Sequence, residues 1–180
     1  MPFQKAKIEF LTPDSVLGEL ELEKSMVAAE FGSGSGGFTI PLAKRLTEGL
    51  VYAIDIQDAP LSALKSRSYL EKLINIRVIR SDLERPKGSS LRDSSVDLVF
   101  IINVLFQIEE KSAVMSEAKR VLKGGGKLVV VDWLMEAEQG PVQGRVSAES
   151  VKKISRDLGL KPERDFKAGK YHYGLIFEKP

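Results

Sequence analysis

With 180 residues, 43% of them hydrophobic, the chain is long enough to bury one sizeable core and leaves little room for a second. It has no cysteine and one histidine, which excludes disulfides, thiolate zinc sites, cysteine nucleophiles and multi-histidine metal centres. Lys and Arg total 27 against 25 Asp and Glu, a net charge of +2 with the signs interspersed, so charge gives a nucleic-acid partner no support beyond a local patch.

One domain is expected over residues 1–180, with a helix-containing N-terminal segment (1–24) and a core (25–180). The start, Met1-Pro2-Phe3-Gln4-Lys5, is not followed by the apolar segment of a signal peptide. The apolar stretches at 98–102 and 128–131 are too short to span a bilayer. A cytoplasmic protein without a membrane span is the expectation.

In chain order, Thr12-Pro13-Asp14 predicts an N-cap with proline at the first helical position, opening a short helix through Leu17 and Leu20. Apolar runs, mostly β-branched, predict strands at 26–29, 51–54, 76–79, 96–102 and 128–131. Helical patterns fill the gaps. Phe38, Leu42 and Leu46 share one face. Residues 59–75 predict a second helix in a less clean register. Val114, Ala118 and Val121 recur at helical spacing, with Gly124 expected as the C-terminal cap. Polar residues 136–145, with two glycines and a proline, predict a mobile loop. Ser147 N-caps a helix through Val151, Ile154 and Leu158 to Gly159. Residues 160–166 and 171–178 predict two strands joined by a short turn, the last returning antiparallel. Strands alternating with helices imply an α/β fold, doubly wound, with a mostly parallel sheet covered on both faces.

Residues 27–37 read Val-Ala-Ala-Glu-Phe-Gly-Ser-Gly-Ser-Gly-Gly. Glycines 32, 34 and 36 let the backbone turn sharply and bring peptide N–H groups against a ligand that a Cβ would push away. Glu30 just before them would repel a phosphate, so this turn suits a ligand carrying positive charge.

The segment resembles the first motif of class I S-adenosylmethionine-dependent methyltransferases, closest to the small-molecule enzymes of the ubiquinone/menaquinone-biosynthesis type. That resemblance extends over roughly residues 10–180 and implies a seven-stranded sheet with the last strand antiparallel. It implies that Glu30, Gly32, Ser33, Gly34 and Gly36 hold the methionine portion of S-adenosylmethionine. Asp55, with Ile56 after it, matches the acid that accepts from the ribose hydroxyls, and Asp82, between Ser81 and Leu83, the acid near the adenine amino group. Asn103 ends the fourth strand, where the family lines the cofactor pocket. Arg120-Val121-Leu122-Lys123-Gly124-Gly125-Gly126 matches the family's turn into its fifth strand. Where many relatives carry histidine or tyrosine-histidine after the fourth strand, this chain has Leu105-Phe106-Gln107, so no catalytic role transfers there.

Other readings compete. Gly32, Gly34 and Gly37 also satisfy Gly-x-Gly-x-x-Gly, and Asp55 stands where a nicotinamide site has its ribose-binding acid. Glu30, Asp82 and the terminal hairpin favour the methyl donor. Ser33 and Ser35 lack the flanking glycines of a nucleophile elbow. If the sixth strand is parallel to the others, the following turn brings Tyr171, His172 and Tyr173 to the carboxyl edge of the sheet, where ligands bind. His172 and Asp132 are therefore the catalytic candidates, with packing as the alternative for His172. A magnesium ion on Asp132 lacks further identifiable ligands, so no metal site is assigned. The expected activity is methyl transfer to a small-molecule acceptor. A non-catalytic S-adenosylmethionine-binding module is the competing class. The acceptor and oligomeric state do not follow from the residues.

Overall fold

The computed structural model describes residues 10–180. Elements alternate as expected: α1 (Pro13–Leu17), β1 (Val27–Phe31), α2 (Thr39–Arg45), β2 (Leu50–Asp55), α3 (Asp58–Leu70) and β3 (Ile76–Arg80). There follow β4 (Val96–Ile102), a 3-10 turn (Leu105–Gln107), α4 (Lys111–Val121), β5 (Leu122–Trp133), α5 (Ala148–Asp157), β6 (Lys161–Lys167) and β7 (His172–Glu178). The seven strands form one sheet in the order β3-β2-β1-β4-β5-β7-β6. Strand β7 runs antiparallel to both β5 and β6, and the other pairings are parallel.

Both sheet faces are apolar because both are covered. Leu98, Phe100 and Ile102 of β4 pack with Val16 and Leu17 of α1 and Leu42 of α2. The alternate residues Val99 and Ile101 pack with Val114, Met115 and Ala118 of α4 and Val151 of α5. Leu64 of α3 joins Ile40 and Ala53 on the α2 side. Of the N-terminal segment, residues 1–9 lie outside the described residues. Thr12 and Ser15 close a reciprocal cap on α1, which ends at Leu17 with Gly18 as its C-cap rather than running to Leu20. Leu11 packs on the α1 side of the core while Phe10 is exposed.

Two further expectations are corrected. Helix α4 ends at Val121 and not at Gly124, because Leu122 is fully buried in extended conformation and pairs with Val96, extending β5 by six residues on its N-terminal side relative to the predicted 128–131. Gly125, at φ +77, serves a bend within that strand instead of a helix cap. Helix α3 stops at Leu70, short of Asn75, whose side-chain amide donates to the carbonyls of Ala43 at 2.9 Å and Leu46 at 2.7 Å and so caps α2. The 136–145 loop is organised around Arg145, whose guanidinium donates to the carbonyls of Leu134, Met135, Ala137, Gln139 and Pro141. Five such contacts satisfy backbone oxygens that the loop's irregular path leaves without ladder partners.

Candidate active site

Strands β1 and β4 are neighbours in the sheet but their connections leave in opposite directions, to β2 on one side and β5 on the other. That reversal opens a crevice at their carboxyl ends, the usual ligand position in open α/β sheets. A cavity of about 400 Å³ lies there, within the size range of small-molecule sites. Of the expected cofactor residues, Gly32, Gly34, Asp55, Ile56, Ser81, Asp82, Leu83 and Asn103 line it. They arrive from the ends of four strands.

The glycine turn is fastened from two sides. The N–H groups of Gly32 and Ser33 donate to the Ile54 carbonyl at 2.8 and 3.0 Å, and that of Gly34 to Oδ2 of Asp55 at 2.8 Å. The three glycines do different work. Gly32 and Gly36, at φ +78 and +89, lie where a Cβ would stand 2.3 Å from Val104 and Leu64 side-chain carbons respectively. Gly34, at φ +51, has nothing within 4 Å of that position and faces open space. Close packing therefore explains Gly36, which is not on the cavity wall, and close ligand approach fits Gly34.

Glu30 and Ser33 also stand off the wall. The Glu30 carboxyl is buried behind the turn and accepts from the Thr39 hydroxyl of α2. Burial, with a smaller contribution from Asp55, pushes its pKa up to about 8 against the opposing Thr39 bond, so it is mostly protonated at neutral pH. Ser33 keeps a buried hydroxyl with no partner among the described residues.

Asp55 accepts the N–H of Gln57 at 3.0 Å as well as that of Gly34. A carboxylate has about four acceptor positions, so two remain for a ligand's hydroxyl pair. Asp82 accepts from the Glu84 N–H at 3.0 Å and the Arg85 guanidinium at 3.1 Å. The Ser81 hydroxyl donates to the Gly88 carbonyl and ties down the loop after β3. Asn103 holds φ +56, an uncommon conformation that Asn tolerates better than most residues, and its buried Oδ1 has no partner among the described residues.

Six further wall residues escaped sequence reasoning: Gln57, Pro60, Glu84, Val104, Gln107 and Ile108. Gln57 and Pro60 lie within five residues of Asp55, and Gln107 belongs to the Leu105-Phe106-Gln107 segment that stands after the fourth strand, so proximity to matched motifs was the available signal. Together with Ile56, exposed at 56%, Val104 and Ile108 give the cavity apolar surface beside its acids.

Of the catalytic candidates, Asp132 is fully buried and accepts the N–H groups of Leu105 at 2.9 Å and Trp133 at 2.8 Å. It anchors the turn that carries Val104 and Gln107. Burial raises its pKa to about 6 despite those bonds. His172 pairs across the sheet with Trp133 at the carboxyl end of β5, as a parallel sixth strand requires. It is 5% exposed, and burial lowers its pKa to about 4, which keeps the ring neutral. Neither candidate lines the cavity itself. Among the described residues, no group of three or more His, Asp or Glu side chains is placed to hold a metal, and no helix is long and apolar enough to cross a membrane.

The methyltransferase-domain family profile matches residues 29–130, more than half of the chain and the part that builds the crevice. The chain belongs to that family. It is similar, at 32% identity over 84 residues, to a probable cobalt-precorrin-6B C(15)-methyltransferase (decarboxylating) of Methanocaldococcus jannaschii, covering 47% of this chain and 43% of that protein. It is 25% identical over 114 residues to the ubiquinone/menaquinone biosynthesis C-methyltransferase of Idiomarina loihiensis, covering 62% of this chain and 44% of that protein. The chain thus spans less than half the length of these curated relatives. A crystal structure of an S-adenosylmethionine-dependent methyltransferase from Aquifex aeolicus superposes with a TM-score of 0.85 at 28% identity, covering 97% of this chain and 93% of that one. Family and fold together place this methyltransferase domain among the class I S-adenosylmethionine-dependent enzymes.

Proposed function

We propose that the chain, acting as a single cytoplasmic domain, binds S-adenosylmethionine in the crevice and passes its methyl group to a small-molecule acceptor. The observation that carries this is Asp55. It braces the glycine turn through Gly34 and keeps acceptor positions turned to a cavity whose other side offers apolar surface. A ribose and a flat base ask for that pairing.

The residues fit the donor. Gly34 leaves open space beside the turn, Ser33 and Asn103 hold buried polar atoms without partners among the described residues, and the Glu30 carboxyl stands ready to ionise when a cation arrives. Bound S-adenosylmethionine supplies a methyl group already activated by positive sulfur. The chain's task is then to orient donor and acceptor and to exclude water, which proximity alone makes productive. Asp132 contributes as a positioning residue, by holding the Leu105 turn. The relatives described above are named for methyl transfer to cobalt-precorrin-6B and in ubiquinone/menaquinone biosynthesis, which supports an acceptor of small-molecule size. Nothing in the charge pattern favours a nucleic acid.

The test is a methyl-transfer screen with labelled donor against cell-extract metabolites, with RNA and protein fractions beside them. Label in the metabolite fraction supports the reading. Donor binding without transfer to any fraction supports the competing non-catalytic module.

A further inference from the structure

Six buried side-chain polar atoms lack a hydrogen-bond partner among the described residues, and five of them lie along one edge of the sheet. Ser33 Oγ follows β1, Asn103 Oδ1 follows β4, Trp133 Nε1 ends β5, and both ring nitrogens of His172 begin β7. These are four adjacent strands in the order β1-β4-β5-β7. Burying such groups unpaired costs about 1–3 kcal/mol each, so five together at one edge mark a place built for a ligand's polar atoms.

At its Asn103 end the row reaches the crevice wall. The Asn103 N–H donates to the Val131 carbonyl at 2.8 Å, Trp133 lies two residues beyond Val131 on that residue's face of β5, and His172 is the cross-strand partner of Trp133 with ring centroids 4.1 Å apart. The near end of the row, Ser33 and Asn103, borders the proposed donor cavity. The far end is more than donor binding accounts for. Gly140 of the Arg145 loop closes it from outside, since a Cβ there would stand 2.5 Å from the Trp133 ring.

We propose that Trp133 and His172 form the acceptor end of the site and take a small uncharged molecule through a hydroxyl group. This rests on the methyl-transfer reading. The indole offers one donor, and the imidazole, neutral near pH 7 because it is buried, offers one donor and one acceptor. A hydroxyl that donates to His172 and accepts from Trp133 satisfies both residues. The Arg145 guanidinium of the overlying loop is not available to an anion, because it is committed to five carbonyls. A cation finds no free carboxylate in the row, because Asp132 is committed to the Leu105 and Trp133 amides.

Trp133 is the only tryptophan in the chain, so its fluorescence reports on this site alone. The experiment titrates the protein saturated with S-adenosylhomocysteine with three phenols differing in charge: 4-hydroxybenzamide, 4-hydroxybenzoate and tyramine. The expected result is a saturable fluorescence change with the neutral amide at roughly tenfold or more lower concentration than with either ion. His172→Phe, which keeps a ring against Trp133 and removes the polar atoms, weakens the amide by roughly five- to tenfold. It leaves S-adenosylhomocysteine affinity and melting temperature equal or higher, and His172→Gln recovers part of the loss. No saturable change with the amide, or equal binding to His172→Phe, overturns the proposal. Failure of S-adenosylhomocysteine itself to bind the unmodified protein instead overturns the methyl-transfer reading on which it rests.

Discussion

The backbone N–H of Gly34 donates to Oδ2 of Asp55 at 2.8 Å, so one carboxylate both fixes the turn after β1 and faces the cavity at the end of β2. Asp55→Ala should therefore weaken S-adenosylmethionine binding by about 1–3 kcal/mol, the range for losing charge-assisted hydrogen bonds. Calorimetry on a variant whose circular dichroism is unchanged checks this. Unaltered affinity would remove Asp55 from the donor site.

Glu30 makes binding depend on pH. Its pKa is about 8 in the folded chain against an ordinary value of 4.5, so the folded state holds a proton that the unfolded state releases. The stability it contributes is full below pH 4.5 and is lost as pH rises through about 8. A donor ammonium brought near it favours the ionised carboxylate, so binding should release a proton. Affinity should then rise between about pH 6 and 7.5, below the range where the donor's own amino group titrates. Glu30→Gln should flatten that slope and remove the high-pH loss of stability. Calorimetry in buffers of different ionisation enthalpy measures the proton release, and a slope shared by both proteins would contradict the assignment.

Gly34 and Gly36 should separate binding from folding. Gly36→Ala combines a left-handed φ of +89 with a 2.3 Å approach to Leu64, and should cost about 2–4 kcal/mol of stability. Gly34→Ala meets no neighbour and should cost only about 1 kcal/mol of stability. Its methyl group projects toward the ligand, so donor affinity should fall more than stability does. Denaturant unfolding and calorimetry on both variants decide this, and the reverse order of effects would refute it.

Much of this architecture was legible in the chain because most of the strands contain a short apolar run, the polar edge strand β6 being the exception. The alternation with helices, the terminal hairpin and the carboxyl-edge placement of His172 follow from that pattern. Gly34 and Asp55, which line the cavity, were legible because a glycine turn and an acid at a strand end are local signals, whereas Glu30, singled out by the same pattern, lies behind the turn. What stayed hidden depends on partners distant in sequence. That Gly36 answers to Leu64, that Asn75 caps α2, and that Arg145 gathers its loop are contacts no spacing encodes. The end of α4 was misread because a glycine triplet resembles a helix stop, whereas the burial of Leu122 against Val96 decides the matter.

Asp132 should prove structural before it proves chemical. Asp132→Ala leaves the buried amides of Leu105 and Trp133 unpaired, and should destabilise the chain by about 2–4 kcal/mol. Asp132→Asn keeps one acceptor oxygen and should lose less, with transfer falling through a looser Leu105 turn. Thermal unfolding beside turnover checks both. Full stability with abolished turnover would make Asp132 catalytic instead.

The most direct test of the central claim is a thermal-shift comparison of S-adenosylmethionine, S-adenosylhomocysteine and nicotinamide dinucleotides at equal concentration. Binding to the folded chain at a hundredfold excess over Kd adds about 2.7 kcal/mol, which at this size raises Tm by several degrees. That rise is expected with the two sulfur ligands and not with the dinucleotides. Stabilisation by a dinucleotide alone would contradict it and recast the glycine turn and Asp55 as a nicotinamide site.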